Sequence, residues 1–152
     1  MPMPWAYRHA SKDWQAFLAD AKEALGLSSD NMTYTAVQGV LTAFRARLAP
    51  REVMAFADLL PAVLRALFVA GWDPEAAPKP WADRATLEAE ARGLRPDHNL
   101  TPDHAIEPVA IALRRALRQI DLDRLLERIG PEAEAFWRVT SVSAGALERR
   151  IV

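Results

Sequence analysis

Shifted by 69 positions, this chain overlays on itself without a gap, residues 36–68 falling over residues 105–137. Ala36, Val40, Ala43, Arg45 and Leu48 meet Ala105, Val109, Ala112, Arg114 and Leu117, each pair identical. Val37, Phe44, Val53, Phe56, Leu60, Leu67 and Phe68 meet Ile106, Leu113, Leu122, Leu125, Ile129, Phe136 and Trp137. The matched apolar positions recur at three- and four-residue spacing, which is the period of one helix face. Self-similarity of this kind predicts two tandem copies of a small helical unit packed together, covering about residues 12–71 and 81–139, with about four helices in each.

Local signals place the helices. Ser11 is positioned to cap a helix over 12–25 with Trp14, Phe17, Leu18, Ala21 and Leu25 on one stripe, and Gly26 is positioned to stop it. Ser28, Ser29 and Asp30 open a second helix to about residue 48, whose inward face is Val37, Val40, Leu41, Phe44 and Leu48. Pro50 suits the first turn of a third helix, and Pro61 starts a fourth that Gly71 ends. Residues 72–80 form a linker holding Pro74, Pro78 and Pro80. A fifth helix is expected over 81–92, and Thr101-Pro102 reads as the cap and first position of a sixth. Pro108 then predicts a kink or a fresh helix start. Its counterpart Gly39, also a poor helix former, suggests a place where backbones cross closely or the helix bends. Two further helices occupy about 121–129 and 131–139, and the tail 140–152 is a short helix or a frayed end. Period-2 alternation is missing. The expected fold is all-α, a helical bundle forming a single compact domain over residues 1–152.

Composition narrows the function classes. With 152 residues the chain is long enough to bury a substantial core. A formal charge of −1 leaves no overall basic field to attract nucleic acid or anionic lipid. There is no cysteine, so disulfides, thiolate zinc sites and cysteine nucleophiles are excluded. Arginine greatly exceeds lysine, which fits the coding bias of a GC-rich bacterial genome. The start, Met1-Pro2-Met3-Pro4-Trp5, has no basic segment leading into an apolar run, so a secretory signal is not expected. The longest mostly apolar run, residues 59–72, is interrupted by Pro61 and Arg65 and is too short to span a bilayer. A soluble, cytoplasmic protein is expected.

A family resemblance supports the helical reading. Residues 41–48 (Leu41, Thr42, Ala43, Phe44, Arg45, Ala46, Arg47, Leu48) are followed by Glu52, Ala57 and Leu60-Pro61. Leu64-Arg65-Ala66-Leu67-Phe68 and Gly71-Trp72-Asp73-Pro74 come next. This string resembles a bacterial family catalogued as domain of unknown function 2267. Its members share a helix ending in an Arg-x-Arg/Leu stretch, a Leu-Pro-x-x-Leu-Arg helix closing on a Gly-Trp-x-Pro turn, and a degenerate second copy. The likeness covers about residues 13–139. In the second copy it rests mainly on Gly130-Pro131 and Phe136-Trp137, with Ala133-Glu134 where Leu64-Arg65 stand in the first. The resemblance implies a helical fold and brings no activity, cofactor or catalytic residue with it.

Few residues offer chemistry. His98 and His104 stand in a doubled Pro-Asp-His string, and Glu107 follows within a helical turn, so the three could face a metal ion. A structural zinc site normally needs four ligands, however, and Asp97 and Asp103 suit turns and helix starts with the histidines solvated. No metal or cofactor is therefore expected. Arg114, Arg115, Arg118, Arg124 and Arg128 cluster within fifteen residues, but Asp121, Asp123 and Glu127 interleave them and no aromatic stands among them to stack on bases. That pattern predicts a mixed-charge solvated face, and nucleic-acid binding only as a distant alternative. No serine lies in a nucleophile elbow and no phosphate loop occurs, so no catalytic residue is assigned and an enzyme is not expected. Five tryptophans are many for this length. Trp14 and Trp137 fall on core stripes. Trp72 and Trp81 flank the linker, where they either pin it to the body or line a groove between the copies. Trp5 and Tyr7 lie in the N-terminal segment, suited to an oligomer contact. The expected function is a non-enzymatic interaction module binding a protein partner or a second copy of itself through Trp72, Trp81, Trp5 and Tyr7. A small-molecule or metal-binding bundle is the alternative.

Overall fold

Helix boundaries in this chain are set by caps and prolines. The structure, a computed structural model, describes residues 2–94 and 101–148. After Pro4 comes the single turn α1 (Trp5–Arg8), then α2 (Ala10–Leu25). Helical backbone thus begins earlier than expected, and Ser11 lies inside α2 instead of capping it. Gly26 ends α2 in the left-handed region at φ 68°, and the amides of Gly26 and Leu27 return to the carbonyls of Glu23 and Lys22. The Ser29 hydroxyl accepts the Met32 amide at the start of α3 (Asp30–Arg45). Pro50 takes the first position of α4 (Pro50–Leu59), where Glu52 reaches back to accept the Ala49 amide at 2.8 Å. Pro61 precedes α5 (Ala62–Val69).

The linker 72–80 is free of helix, and its Lys79 amide is held by the Ala46 carbonyl at 2.8 Å. Asp83 caps α6 (Arg84–Arg92) by accepting the Thr86 amide, so the helix starts after Trp81 and not at it. The second half continues with α7 (Ile106–Ala116), α8 (Gln119–Ile129), α9 (Pro131–Phe136) and a 3-10 turn, Ala144–Leu147. No strand occurs among the described residues, and the fold is an all-α helical bundle.

One expectation about α7 is corrected and, of the two alternatives for Pro108, one is decided. Thr101-Pro102 does not open it, because the helix begins at Ile106. Pro108 therefore falls in the first turn, where its missing N–H has no intrahelical partner to lose, and it accompanies a helix start rather than a kink. The start is capped from elsewhere. The buried Glu88 of α6 accepts the amides of Ala105 (3.0 Å) and Ile106 (3.3 Å).

In the packing, α2 lies along α7, α3 along α6, and α4 against α8, while α5 closes on α2 and α3. The two halves of the chain are thereby interlocked around one core. Phe44 sits at its centre, with ring centroids 4.9 Å from Phe56, 5.0 Å from Phe136 and 5.2 Å from Trp137. All four rings are buried. Burying each is worth roughly 1.5–3 kcal/mol, more than any surface pair here can supply. Gly39 marks a close helix crossing, since a Cβ there would stand 2.1 Å from the Ala91 carbonyl oxygen of α6.

Two arginines, one in each half of the chain, hold helix ends in similar ways. Arg45 Nη1 donates to the carbonyls of Phe68 (2.9 Å) and Ala70 (3.0 Å) at the end of α5. Arg114 Nε donates to the Trp137 carbonyl (2.9 Å) at the end of α9. Carbonyls in a last turn have no intrahelical donor, so a guanidinium is a fitting partner for them.

Candidate functional site

The strongest departure from an ordinary solvated surface lies at the N-terminal turn. Pro4 and the one-turn α1 project Trp5 and Tyr7 outward, 59% and 52% exposed, and no residue of α1 is buried. Trp5 stacks on His9 with centroids 3.6 Å apart, which orders the ring without covering it. Beside it is a cleft of about 220 Å³ between α1 and the α4–α5 corner, lined by Leu59, Leu60 and Pro61 and by Asp13 and Arg65. The corner is held rigid from within. Arg65 Nε donates to the Ala57 carbonyl at 3.0 Å, and its Nη2 reaches the carbonyls of Asp58 and Leu60. That uses the guanidinium to close the C-terminal end of α4, so the apolar corner is preformed.

A second depression adjoins the first, because Leu59 lines both. It runs between α4 and α8, with Ala55, Leu59 and Leu125 as its apolar part and Arg124 and Arg128 among its walls.

The other sequence candidates are distributed differently. Trp81 is half-buried, its ring centroid 6.1 Å from Phe44 and 6.5 Å from Phe136, and Trp72 is half-buried against the same core. His98 lies outside the described residues. His104 is exposed, and Glu107 accepts the Thr140 amide (3.3 Å) and hydroxyl (3.2 Å). Hydrogen bonds from Ser141 and Thr140 hold its carboxyl below the usual glutamate value. Among the described residues no group of three His, Cys, Asp or Glu side chains could hold a metal ion.

The arginine cluster does not form one solvated face. Arg114 is buried, bound to Trp137, Gln119 and Asp123. Arg115 joins Asp20 of α2 to the Ala146 carbonyl near the end of the described chain. Arg118 pairs with Asp121 at 3.6 Å. Only Arg124 and Arg128 of the five carry no hydrogen bond or ion pair among the described residues. Sequence spacing places these five together, but the surrounding helices decide which of them face inward.

Two buried polar groups escaped the sequence reading. Arg47 is buried between Ala43, Pro80 and Glu90, tying α3 to the linker and α6. Burial pushes the Glu88 carboxyl up, against the downward pull of the Ile106 amide, Arg84 and the Ala105 amide. The one signal for Glu88 was the lack of a capping side chain immediately before α7.

Fold and surface together define a helical bundle with an exposed aromatic turn and an adjoining groove, and no helix among the described residues is long and apolar enough to cross a membrane. The family described as Uncharacterized conserved protein (DUF2267) matches residues 14–136, and the chain belongs to it. A search of curated proteins finds no match.

Proposed function

We propose that this chain is a non-enzymatic helical interaction module, soluble and cytoplasmic, built from two tandem copies of one helical unit and acting through a protein partner or a second copy of itself. The observation that carries the reading is the pair of exposed aromatics, Trp5 and Tyr7, beside the preformed corner of Leu59, Leu60 and Pro61. Large apolar rings next to a rigid apolar pocket are the usual anchors of protein contacts. The tandem-copy part draws support from the helix starts. α4 and α5 begin at residues 50 and 62, α8 and α9 at residues 119 and 131, each displaced by the same 69 positions. The matching arginine anchors at Arg45 and Arg114 support it further. Trp72 and Trp81 contribute to contact through their exposed edges only, since both rings also pack on the core.

Native mass spectrometry and light scattering over a concentration series test the reading, with a photo-crosslinking residue at position 7 to trap a partner. The expected result is a concentration-dependent mass above one chain, or a specific crosslinked partner, reduced at least tenfold by Trp5→Ala with Tyr7→Ala. A protein that stays monomeric throughout and crosslinks to nothing would sink it.

A further inference from the structure

We infer that the groove between α4 and α8 receives an acidic amphipathic helix of a protein partner, a reading that rests on the interaction-module proposal and gives the partner its chemistry. Ala55 and Leu59 stand one turn apart on α4, and Leu125 faces the same depression from α8. Arg124 and Arg128 stand one turn apart on its α8 wall, both exposed. Every other member of the arginine cluster is engaged: Arg114 by Asp123, Arg115 by Asp20, Arg118 by Asp121. Arg124 and Arg128 have no such partner among the described residues. Asp121 lines the groove but is already paired with Arg118, so of the unpaired charges there two are positive and one, Glu127, is negative.

The spacing specifies the occupant. An incoming helix presents carboxylates at i and i+4 about one turn apart, which matches two guanidiniums at i and i+4. Its apolar side chains at neighbouring positions meet Leu59 and Leu125, the helix-in-groove mode of recognition. A nucleic-acid backbone fits less well, because no aromatic ring lines the groove to stack on a base and the floor is apolar. The exposed Met54 and Ile120 add apolar surface to the same two helices. Exposed ion pairs are individually weak and screened by salt, so binding is set jointly by the apolar floor and the two arginines.

The test uses the intact protein and two labelled peptides of eighteen residues, each with leucines at i, i+3, i+4 and i+7, one flanked by glutamates and the other by lysines. Fluorescence anisotropy is expected to show binding of the glutamate peptide at micromolar concentration, weakening with added salt, and at least tenfold weaker binding of the lysine peptide. Arg124→Glu with Arg128→Glu should reduce glutamate-peptide affinity at least tenfold and transfer preference to the lysine peptide. Arg138→Glu, an equally exposed arginine outside the groove, should change nothing. Equal binding of both peptides, binding of neither, or indifference to the double reversal overturns the inference. So does a single-stranded oligonucleotide that binds through Arg124 and Arg128 while the peptides do not. Trp5 and Tyr7 remain intact in these variants, so the self-association and crosslinking readouts report separately on the parent proposal.

Discussion

At Gly39 the difference between a hydrogen and a methyl group separates contact from collision, because the added carbon would meet the Ala91 backbone oxygen at 2.1 Å. Alanine would improve helix propensity by about 1 kcal/mol, but a backbone oxygen cannot rotate aside as a side chain could. Overpacking of this kind costs about 1–3 kcal/mol, and here it should prevail. Gly39→Ala is expected to lower the urea midpoint, and an unchanged midpoint would mean that α3 and α6 separate freely. Glu88 gives a second test at a single residue. Its folded carboxyl titrates above the ordinary glutamate value of 4.5 because burial outweighs its hydrogen bonds. Folding therefore takes up a proton between the two values. Its contribution is fully present below pH 4.5 and is lost as pH rises through the folded value. The stability of the wild type relative to Glu88→Gln should accordingly fall from pH 4.5 upward in paired urea titrations. The opposite slope would show that the α7 amides hold the charged form more strongly than burial opposes it.

Among the elements, α1 is the one that the rest of the fold can lose. It is four residues long and buries no side chain. A helix that short has no stability of its own and persists by continuing into α2. Removing residues 2–8 is expected to change unfolding stability by less than about 0.5 kcal/mol, as for surface changes remote from the core, while abolishing association in light scattering. Loss of fold on that deletion would mean that the turn is structural. The linker behaves differently despite its three prolines. Trp81 packs on the core, the Lys79 amide and the Pro80 carbonyl fasten it to residues at the end of α3, and Lys79 Nζ pairs with Glu90 of α6. Its tryptophans therefore carry packing as well as exposed edges.

For the whole molecule, α2 on α7 and α3 on α6 mean that neither half of the chain completes its own core. Phe44 and Phe56 from the first half touch Phe136 and Trp137 from the second. Unfolding should then be a single transition, with circular dichroism and tryptophan fluorescence giving coincident curves. Phe56→Ala and Phe136→Ala should each lower that common midpoint, by about 3–5 kcal/mol of stability. Two resolved transitions would show the halves to be independent.

The helical class was legible from residue order alone, since a 3.6-residue apolar stripe, a serine or proline at its start and a glycine after it act over a few bonds. Ser29, Pro50, Gly26 and Pro131 stand where such local rules put them. The boundaries that moved were those set by distant groups. α7 starts at Ile106 under Glu88, a residue 18 positions earlier in the chain. The candidate surface was half legible. An exposed N-terminal tryptophan and tyrosine could be suspected from their polar neighbours, but the corner beside them exists only because α5 returns Arg65 to the end of α4. Spacing cannot show that Arg114 turns inward to a carbonyl 23 residues away while Arg124 and Arg128 are left to solvent. Residue order therefore determined the helices and their apolar faces, which depend on neighbouring bonds. Tertiary structure decided which charges are paired and which remain free, because pairing depends on what packs across the core.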